Sequence, residues 1–282
     1  MYVPHPIIKT GVIMIKENSI YDYHIHSIYS DGSDTPKEII QKAKKQGLDT
    51  LALTDHDTID GLKEASTEAI RLNINFIYGI ELSTRYDDNR LIHILGLDID
   101  VAHPDFQARY TSFKQHREDA LPIVIDELQK KGIPIQMDDL AQYRTGDYLD
   151  RQTVAKWLVK NKYASSIPRA WIDILDDIAY IPNEIISVHD AFDMIHAGKG
   201  KTFIAHIHKP IGLYGYSDQE AFLRLQQLKL QGLDGIEAFY PTYKEKDKKL
   251  IQKAVSELGL LQSGGSDYHG KNRPEVHLGQ IL

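Results

Sequence analysis

The feature that most constrains the fold is a repeated alternation of short β-type runs with helical patterns. This alternation is typical of a parallel α/β fold, because each helix returns the chain to the same edge of the sheet. It therefore favours a parallel sheet flanked by helices. The runs predicted as strands are 20–23, 50–53, 74–80, 91–97, 202–205, 235–239 and 260–262.

The clearest helix signal lies between the first two predicted strands. Thr35 can cap the helix, Pro36 suits its first position, Glu38 completes a capping box and Gly47 ends it. Further helices are predicted over residues 58–72 and 242–258.

The alternation stops between residues 103 and 186, where the pattern is mostly helical over 106–131, 150–162 and 172–178. We therefore predict a barrel domain in two parts, residues 1–103 and 187–282. Residues 104–186 are predicted to form a helical insertion domain between them.

Composition limits the chemistry and the partners. The chain has no Cys, which excludes disulfides, thiolate metal sites and a Cys nucleophile. The net charge of −7 argues against a broad basic surface for duplex DNA. No apolar run approaches the roughly 18–20 residues of a membrane span, and residues 1–20 lack a signal-peptide core. We therefore expect a cytoplasmic protein with no membrane partner.

Metal-binding residue types occur at or near the ends of six successive predicted strands. Single occurrences are weak signals: His93, inside an apolar strand, is by itself more typical of a hydrogen-bonded core histidine. Together they are informative, because side chains at the carboxyl ends of barrel strands converge on one site. The set comprises His24, His26, His56, His93, His206 and His269 with Asp31, Glu81 and Asp267.

Nine such groups suffice for two or three divalent ions, at about four to five ligands per ion with some shared. A site rich in imidazole and free of thiolate suits Zn, Mn or Fe. Three ions would leave the pocket cationic, so the substrate is expected to be an anion.

The motifs resemble those of the PHP (polymerase and histidinol phosphatase) family, in the family's order. The matching segments are Tyr21-Asp22-Tyr23-His24-Ile25-His26-Ser27, Ser30-Asp31-Gly32, Thr54-Asp55-His56-Asp57-Thr58, Gly79-Ile80-Glu81, His93, Ala205-His206 and Gly265-Ser266-Asp267-Tyr268-His269-Gly270. The resemblance implies a distorted seven-stranded (β/α) barrel with a mostly helical insertion, a trinuclear metal centre and phosphoesterase activity.

The resemblance also implies how the ligands are shared. One ion would take His24, His26, Glu81 and Asp267, and Glu81 would bridge to a second ion held by His93 and His206. The third ion would be bound by Asp31, His56 and His269.

The insertion is similar to that of the subfamily that removes the 3′-phosphate from nucleoside 3′,5′-bisphosphates. Two segments depart from the family's pattern. Arg151-Gln152-Thr153 stands where Arg-Pro-His is usual, and Ile207 follows His206 where Pro is usual. These departures bear on the substrate rather than on the fold.

We predict a phosphomonoesterase acting on a small phosphorylated substrate, a nucleotide in the first interpretation, through a metal-bound hydroxide. His208 is a candidate general acid, or a hydrogen-bonding support, on the same strand face as His206. Arg151 is a candidate phosphate clamp, or a surface helix residue, and Lys209 is a further substrate-binding candidate. Asp55 and Asp57 are expected to orient ligands or cap a helix.

Other functions remain open from the sequence. These are a 5′-3′ exoribonuclease acting on short RNA, a histidinol-phosphate phosphatase and a non-catalytic module that binds metal or nucleotide. The oligomeric state is also left open.

Overall fold

The computed structural model of the chain describes residues 20–86, 90–144 and 146–280. Most of the region compared with a signal peptide, residues 1–19 of the predicted first barrel part, therefore lies outside the described residues. In these three ranges, no helix combines the length and the apolar character needed to cross a membrane.

The strands form a single mixed sheet. Their bounds are β1 Tyr21–Asp22, β2 Thr50–Leu53, β3 Asn75–Arg85, β4 Leu91–Leu97, β5 Ile186–Ser187, β6 Lys201–Ile204, β7 Gly235–Phe239 and β8 Leu261–Gly264.

The helices lie between the strands and in the segment between β4 and β5. Their bounds are α1 Pro36–Gln46, α2 Leu62–Leu72, α3 Pro104–Lys130, α4 Met137–Leu140, α5 Arg151–Lys160, α6 Ile167–Ala170, α7 Val188–Ala197, α8 Asp218–Gln231 and α9 Glu245–Leu258. A π-helix, Trp171–Leu175, follows α6 directly.

The sheet runs in the order β1-β2-β3-β4-β6-β7-β8, with β5 paired to β3 outside this path. β4 is antiparallel to both β3 and β6, whereas the other pairs are parallel. The prediction of a distorted seven-stranded (β/α) barrel with a mostly helical insertion is confirmed. The antiparallel strand supplies the distortion.

The two ends of this path meet through the residues that follow β1 and β8. The Tyr23 amide donates to the Gly264 carbonyl at 3.1 Å, and the Asp267 amide donates to the His24 carbonyl at 2.9 Å. Ile25 and Tyr268 form a parallel bridge. These contacts bring the first and last predicted ligand segments together.

Local sequence signals explain several boundaries. Thr35 and Glu38 form the predicted capping box of α1, and Gly47 ends the helix with a left-handed backbone. The second helix begins at Leu62 rather than at residue 58, because residues 54–61 form the loop that carries His56. β3 also runs to Arg85, five residues beyond its predicted end.

The segment between β4 and β5 contains a hydrophobic cluster of its own. Leu121, Val124 and Leu128 of α3 pack there with Trp157 and Leu158 of α5. The first half of α3 instead packs in the barrel's largest apolar cluster through residues such as Phe106 and Tyr110. α3 therefore spans both regions, and we propose the boundary at residues 103 and 104 as the point where the chain leaves the sheet.

Candidate metal centre

His24 and His26 follow β1 with a single apolar residue between them. That residue, Ile25, is fully buried in the cluster that contains Ile39 and Ile40 of α1. Because side chains alternate along an extended chain, burial of Ile25 against α1 directs both imidazoles to the opposite side. They point to the interior of the barrel.

Glu81 lies at the centre of this interior, in the middle of β3 rather than at its end. Its Oε1 lies 2.9 Å from His93 Nδ1 and 3.0 Å from His206 Nε2. Its Oε2 lies 3.0 Å from His24 Nε2, 3.1 Å from His26 Nε2 and 3.1 Å from His56 Nδ1. One buried carboxylate thus faces imidazoles from five different positions of the chain.

Asp31 and His269 extend the cluster on the side of His26 and His56. His269 Nε2 lies 3.1 Å from Asp31 Oδ1, and His26 Nδ1 and His56 Nε2 each lie 3.8 Å from the same oxygen. Asp267 Oδ1 lies 3.2 Å from His26 Nε2 and 3.5 Å from His24 Nε2.

The donor atoms fall into three overlapping groups, each compact enough to hold one ion. The groups are His24, His26, Glu81 and Asp267; His26, Asp31, His56 and His269; and His56, Glu81 and His93. The nine residues singled out from the sequence thus meet in one place. The first group has the membership expected for one ion, while His26 and His56 each join a second group. His206, expected at the second ion, belongs to none of the three groups, and its Nε2 contacts Glu81 Oε1.

The chemistry of these donors fits divalent metal ions. Buried nitrogens of His26, His56 and His269 have no hydrogen-bond partner, although carboxylate oxygens lie about 3 Å away. Two ligands bound at about 2.1 Å to one ion are themselves about 3 Å apart, so these spacings suit shared coordination. Imidazoles whose lone pairs face a common centre are what such a site requires.

Electrostatics keeps the carboxylates of the cluster ionised. Burial by itself raises the pKa of Glu81, but the facing His24, His56 and His93 hold it well below its usual value. Burial likewise raises the pKa of Asp267, and Lys209, His24 and His269 together lower it well below the usual range. An ionised carboxylate is the form that binds a cation.

Backbone strain is concentrated at two of these residues. His206, which follows β6, has φ of 24°, and Asp267, which follows β8, has φ of 59°. Such conformations cost of order 1–3 kcal/mol each for residues other than Gly and cluster at functional sites. Their presence agrees with a site whose geometry is imposed by the surrounding barrel.

Glu237 of β7 supports the cluster and was not singled out from the sequence. Its Oε1 lies 2.8 Å from His24 Nδ1, and its Oε2 accepts the His206 amide at 2.7 Å. A carboxylate that receives Nδ1–H leaves the lone pair of Nε2 for a metal. The available signal was an acidic residue inside an otherwise apolar strand, Gly235-Ile236-Glu237-Ala238-Phe239.

Asp55 and Asp57 anchor the loops around the cluster. Asp55 accepts hydrogen bonds from the Ser27 amide, the Ser27 hydroxyl and the Ser30 hydroxyl, each at 2.6 Å. It therefore fixes the loop that connects His26 to Asp31. Asp57 Oδ1 accepts the Ser83 amide at 2.8 Å, which fixes the loop of His56 against β3.

Arg151 does not lie where a phosphate clamp would. Its side chain is 2% exposed, pairs with Glu184 and donates to the carbonyls of Leu175, Ile178 and Ala179. These contacts commit the guanidinium to the interior of the insertion. Both predictions for Arg151, a phosphate clamp and a surface helix residue, are therefore corrected, and the residue instead ties α5 to the segment that leads back to the barrel.

His208 lies in a turn after β6, so the prediction that it shares a strand face with His206 is wrong. Its Nε2 lies 2.7 Å from Thr242 Oγ1, and its ring packs edge-on against Tyr240 and Tyr243. Burial, followed by the charge of Lys209, lowers the pKa of His208. A neutral ring with these contacts agrees with the supporting role.

Lys209 lies at the edge of the cluster. Its Nζ is 2.7 Å from Asp267 Oδ2, and its ammonium lies 4.8 Å from the centre of the Tyr240 ring. The same oxygen accepts the Tyr240 hydroxyl at 2.7 Å and Arg273 Nη1 at 2.6 Å. Tyr240 and Arg273 were not singled out from the sequence, because no periodic pattern marks these loop positions.

A small pocket adjoins His56. Tyr29 lines its barrel side, and Tyr148, Thr153 and Lys156 line it from the insertion. Thr153, which stands where the subfamily usually has His, completes a capping box with Asp150 at the start of α5. The insertion thus forms one wall of a cavity beside the metal ligands.

Comparison with known proteins agrees with this geometry. Residues 22–169 match the model of the PHP domain. A 5′-3′ exoribonuclease of Haemophilus influenzae is 34% identical over 88% of this chain and 89% of its own length. A 3′,5′-nucleoside bisphosphate phosphatase of Chromobacterium violaceum is 29% identical over 88% of this chain and 86% of its own length.

A solved structure from Bifidobacterium adolescentis, described as a metal-dependent phosphoesterase, superposes with a TM-score of 0.79. It is 26% identical, and the match covers 94% of this chain and 92% of that one. The chain therefore belongs to the PHP family and is a metal-dependent hydrolase of phosphoester bonds.

Proposed function

We propose that this enzyme removes the 3′-phosphate from a nucleoside 3′,5′-bisphosphate. Two to three divalent ions, Zn, Mn or Fe, would be held by the nine residues that meet around Glu81. The observation that carries the proposal is the set of overlapping donor groups, in which buried imidazole nitrogens face carboxylate oxygens at about 3 Å without hydrogen bonds.

The reaction is hydrolysis of a phosphomonoester. An oxygen of water bonds to phosphorus, the bond between phosphorus and the 3′-oxygen breaks, and the 3′-oxygen takes up a proton. When bound, divalent ions supply Lewis-acid stabilisation of the phosphoryl oxygens and lower the pKa of water to about 7. The chain contributes ionised carboxylates to hold the ions, and Glu237 to fix the orientation of His24.

The side chains beside His56 support a nucleotide substrate. They line a small pocket between the barrel and the insertion. Tyr29 and Tyr148 provide rings against which a base or sugar can pack, and Lys156 adds a cation from the insertion. The Chromobacterium relative supports the nucleotide assignment, because it is itself a bisphosphate phosphatase.

A 5′-3′ exoribonuclease is the second candidate. The observation that favours it is the 34% identity to the Haemophilus exoribonuclease over most of both chains. The two activities differ in the bond that is hydrolysed, because a 5′-3′ exoribonuclease cleaves the diester that joins the 5′-terminal nucleotide to the chain, and the phosphatase cleaves a terminal monoester.

A substrate screen tests the proposal. The protein loaded with Mn is assayed against nucleoside 3′,5′-bisphosphates, simple mononucleotides, histidinol phosphate and 5′-phosphorylated oligoribonucleotides. We expect the highest kcat/KM for a 3′,5′-bisphosphate, with release of inorganic phosphate and a 5′-mononucleotide, and loss of turnover in His56→Ala.

Three results would contradict the assignment. Preference for mononucleotides or for histidinol phosphate would place the enzyme elsewhere in the family. Stepwise release of mononucleotides from the 5′ end of RNA, at a higher kcat/KM than bisphosphate hydrolysis, would favour the second candidate.

A further inference from the structure

We propose that Lys209 and Arg273 form a clamp that binds the terminal phosphoryl group and makes the site prefer phosphomonoesters to phosphodiesters. The inference rests on the proposed function, because it concerns the same metal centre. It adds Arg273 as a substrate-binding residue and names the charge state of the phosphate as the property that is selected.

The two oxygens of Asp267 face different surroundings. Oδ1 lies 3.2 Å from His26 Nε2 and so faces the metal ligands. Oδ2 faces away from them and lies 2.7 Å from Lys209 Nζ and 2.6 Å from Arg273 Nη1. Oδ1 of Asp267 therefore borders the predicted metal ligands, and Oδ2 forms ion pairs with Lys209 and Arg273.

The two cations lie at the mouth of the site. Side-chain exposure is 23% for Lys209 and 31% for Arg273, against 3% for Asp267. Asn272, the neighbour of Arg273, donates to the Asp31 carbonyl at 2.7 Å, so the segment after β8 reaches across to the second donor group. A ligand that approaches the metal cluster past this segment meets both positive charges.

The donor capacity of the two cations indicates what they can bind. Both share one oxygen of Asp267, which also accepts a hydrogen bond from the Tyr240 hydroxyl. Because this hydroxyl is a separate donor, Asp267 keeps a partner when the cations turn toward a ligand. The N–H groups of Lys209 and Arg273 that Asp267 does not use suit an anion that lies beside it.

The chemistry of the phosphoryl group explains the preference. A terminal phosphate is close to a dianion at neutral pH and has three unsubstituted oxygens, whereas a diester is a monoanion with two. A guanidinium can pair with two phosphate oxygens in one plane, and an ammonium can bind a third. The pair of cations therefore matches the charge and the three oxygens of the terminal phosphate, and it binds a diester more weakly.

The test compares two simple aryl substrates that do not depend on nucleotide recognition. They are p-nitrophenyl phosphate, a monoester, and bis(p-nitrophenyl) phosphate, a diester. Arg273→Gln removes one cation, Arg273→Lys keeps the charge without the planar fork, and Lys271→Gln removes an exposed charge two residues away as the matched control. Bound metal is quantified in every variant.

We expect Arg273→Gln to lower kcat/KM for the monoester about 10- to 100-fold, as for loss of a charged hydrogen bond, and for the diester less than about 3-fold. The inhibition constant of inorganic phosphate should rise by a similar factor to the monoester loss. Arg273→Lys should recover part of the monoester rate, and Lys271→Gln should match the parent protein.

Equal losses on both substrates, or no loss on either, would overturn the clamp. Loss of bound metal in Arg273→Gln would also overturn it, because Arg273 would then act by positioning Asp267. If the parent protein hydrolyses the aryl monoester but no 3′,5′-bisphosphate, the proposed function fails while the clamp is still decided by the ratio of the two aryl rates.

Discussion

Glu237 contacts two predicted ligands from different strands, His24 through its ring and His206 through its backbone amide. Both contacts present an N–H group to a carboxylate oxygen, and the Glu237 side chain is fully buried. A carboxylate is required here, since each of its two oxygens accepts one of these hydrogen bonds. This residue links the orientation of His24 to the strained backbone of His206.

The substitution Glu237→Gln should weaken metal binding about 10- to 100-fold. An amide replaces one acceptor with an NH₂ group, which then faces either His24 Nδ1–H or the His206 amide. Titration of the apoprotein with Mn or Zn by calorimetry measures the change, and Glu257→Gln on the exposed side of α9 is the control. Unchanged affinity in a folded Glu237→Gln protein would show that Glu237 does not orient the ligands.

At the scale of elements, Asp234 joins the end of α7 to the start of β6. Its carboxylate lies 2.8 Å from His196 Nε2, accepts the Thr202 amide at 3.1 Å and lies 3.2 Å from Lys201 Nζ. Burial alone raises the pKa of Asp234, but these three contacts together lower it to about 2. The ionised form therefore stabilises the fold.

Asp234→Asn should reduce the free energy of unfolding at neutral pH, and the deficit should shrink in acid. The folded pKa of about 2 lies below the unfolded value of about 3.9, so the stabilisation is present above about pH 4 and is lost as pH falls toward 2. Urea unfolding at a series of pH values measures it. Asp138→Asn, at an exposed position, should show no such trend, and a deficit independent of pH would contradict the explanation.

Several elements could be predicted from local signals. β2, β4 and β7 have the predicted bounds, and α1 has the predicted caps, because these features depend on neighbouring residues. The antiparallel direction of β4 could not be predicted, since it depends on pairing with strands distant in sequence. α8 was missed although Ser217 and Glu220 form a capping box at its start.

The metal ligands could be predicted from the sequence, because imidazoles and carboxylates are unusual at the ends of apolar strands. How they group around individual ions followed only from the family resemblance, since it depends on side-chain positions that the assembled barrel fixes. The burial of Arg151 could not be predicted either, because its partner Glu184 lies 33 residues away in a segment without a regular pattern.

At the scale of the whole molecule, a buried ion-pair network joins the insertion to the metal-ligand loop. Arg117 of α3 lies 3.1 Å from Asp57 and 3.0 Å from Asp150, and its side chain is 6% exposed. Tyr148 donates to the Asp57 carbonyl at 2.8 Å from the same side. Asp57 directly follows His56, so this network links the insertion to the loop that carries a predicted ligand.

Arg117→Met should lower the free energy of unfolding by about 3–5 kcal/mol, because it leaves Asp57 and Asp150 buried without their cation. Chemical denaturation measures this loss. The control Arg109→Met, on the same helix, removes a half-exposed arginine 3.8 Å from Asp193 and should change stability by less than about 1 kcal/mol. Similar effects of the two substitutions would argue against the network.

Metal removal should destabilise the entire barrel, since the ligands come from both ends of the strand path. At free metal about 1,000 times its dissociation constant, binding contributes about 4 kcal/mol. Chelation should therefore lower Tm, and added Mn or Zn should restore it. An unchanged Tm in protein verified to be free of metal would contradict a role of the ions in stability.

The junction between the segments after β1 and β8 has a consequence for biosynthesis. His24 emerges from the ribosome more than two hundred residues before Asp267 and His269. A nascent chain that ends before these residues lacks the contact between the two ends of the strand path. It also lacks two of the predicted metal ligands. The two donor groups that contain His26 can therefore be completed only after translation has passed Asp267 and His269.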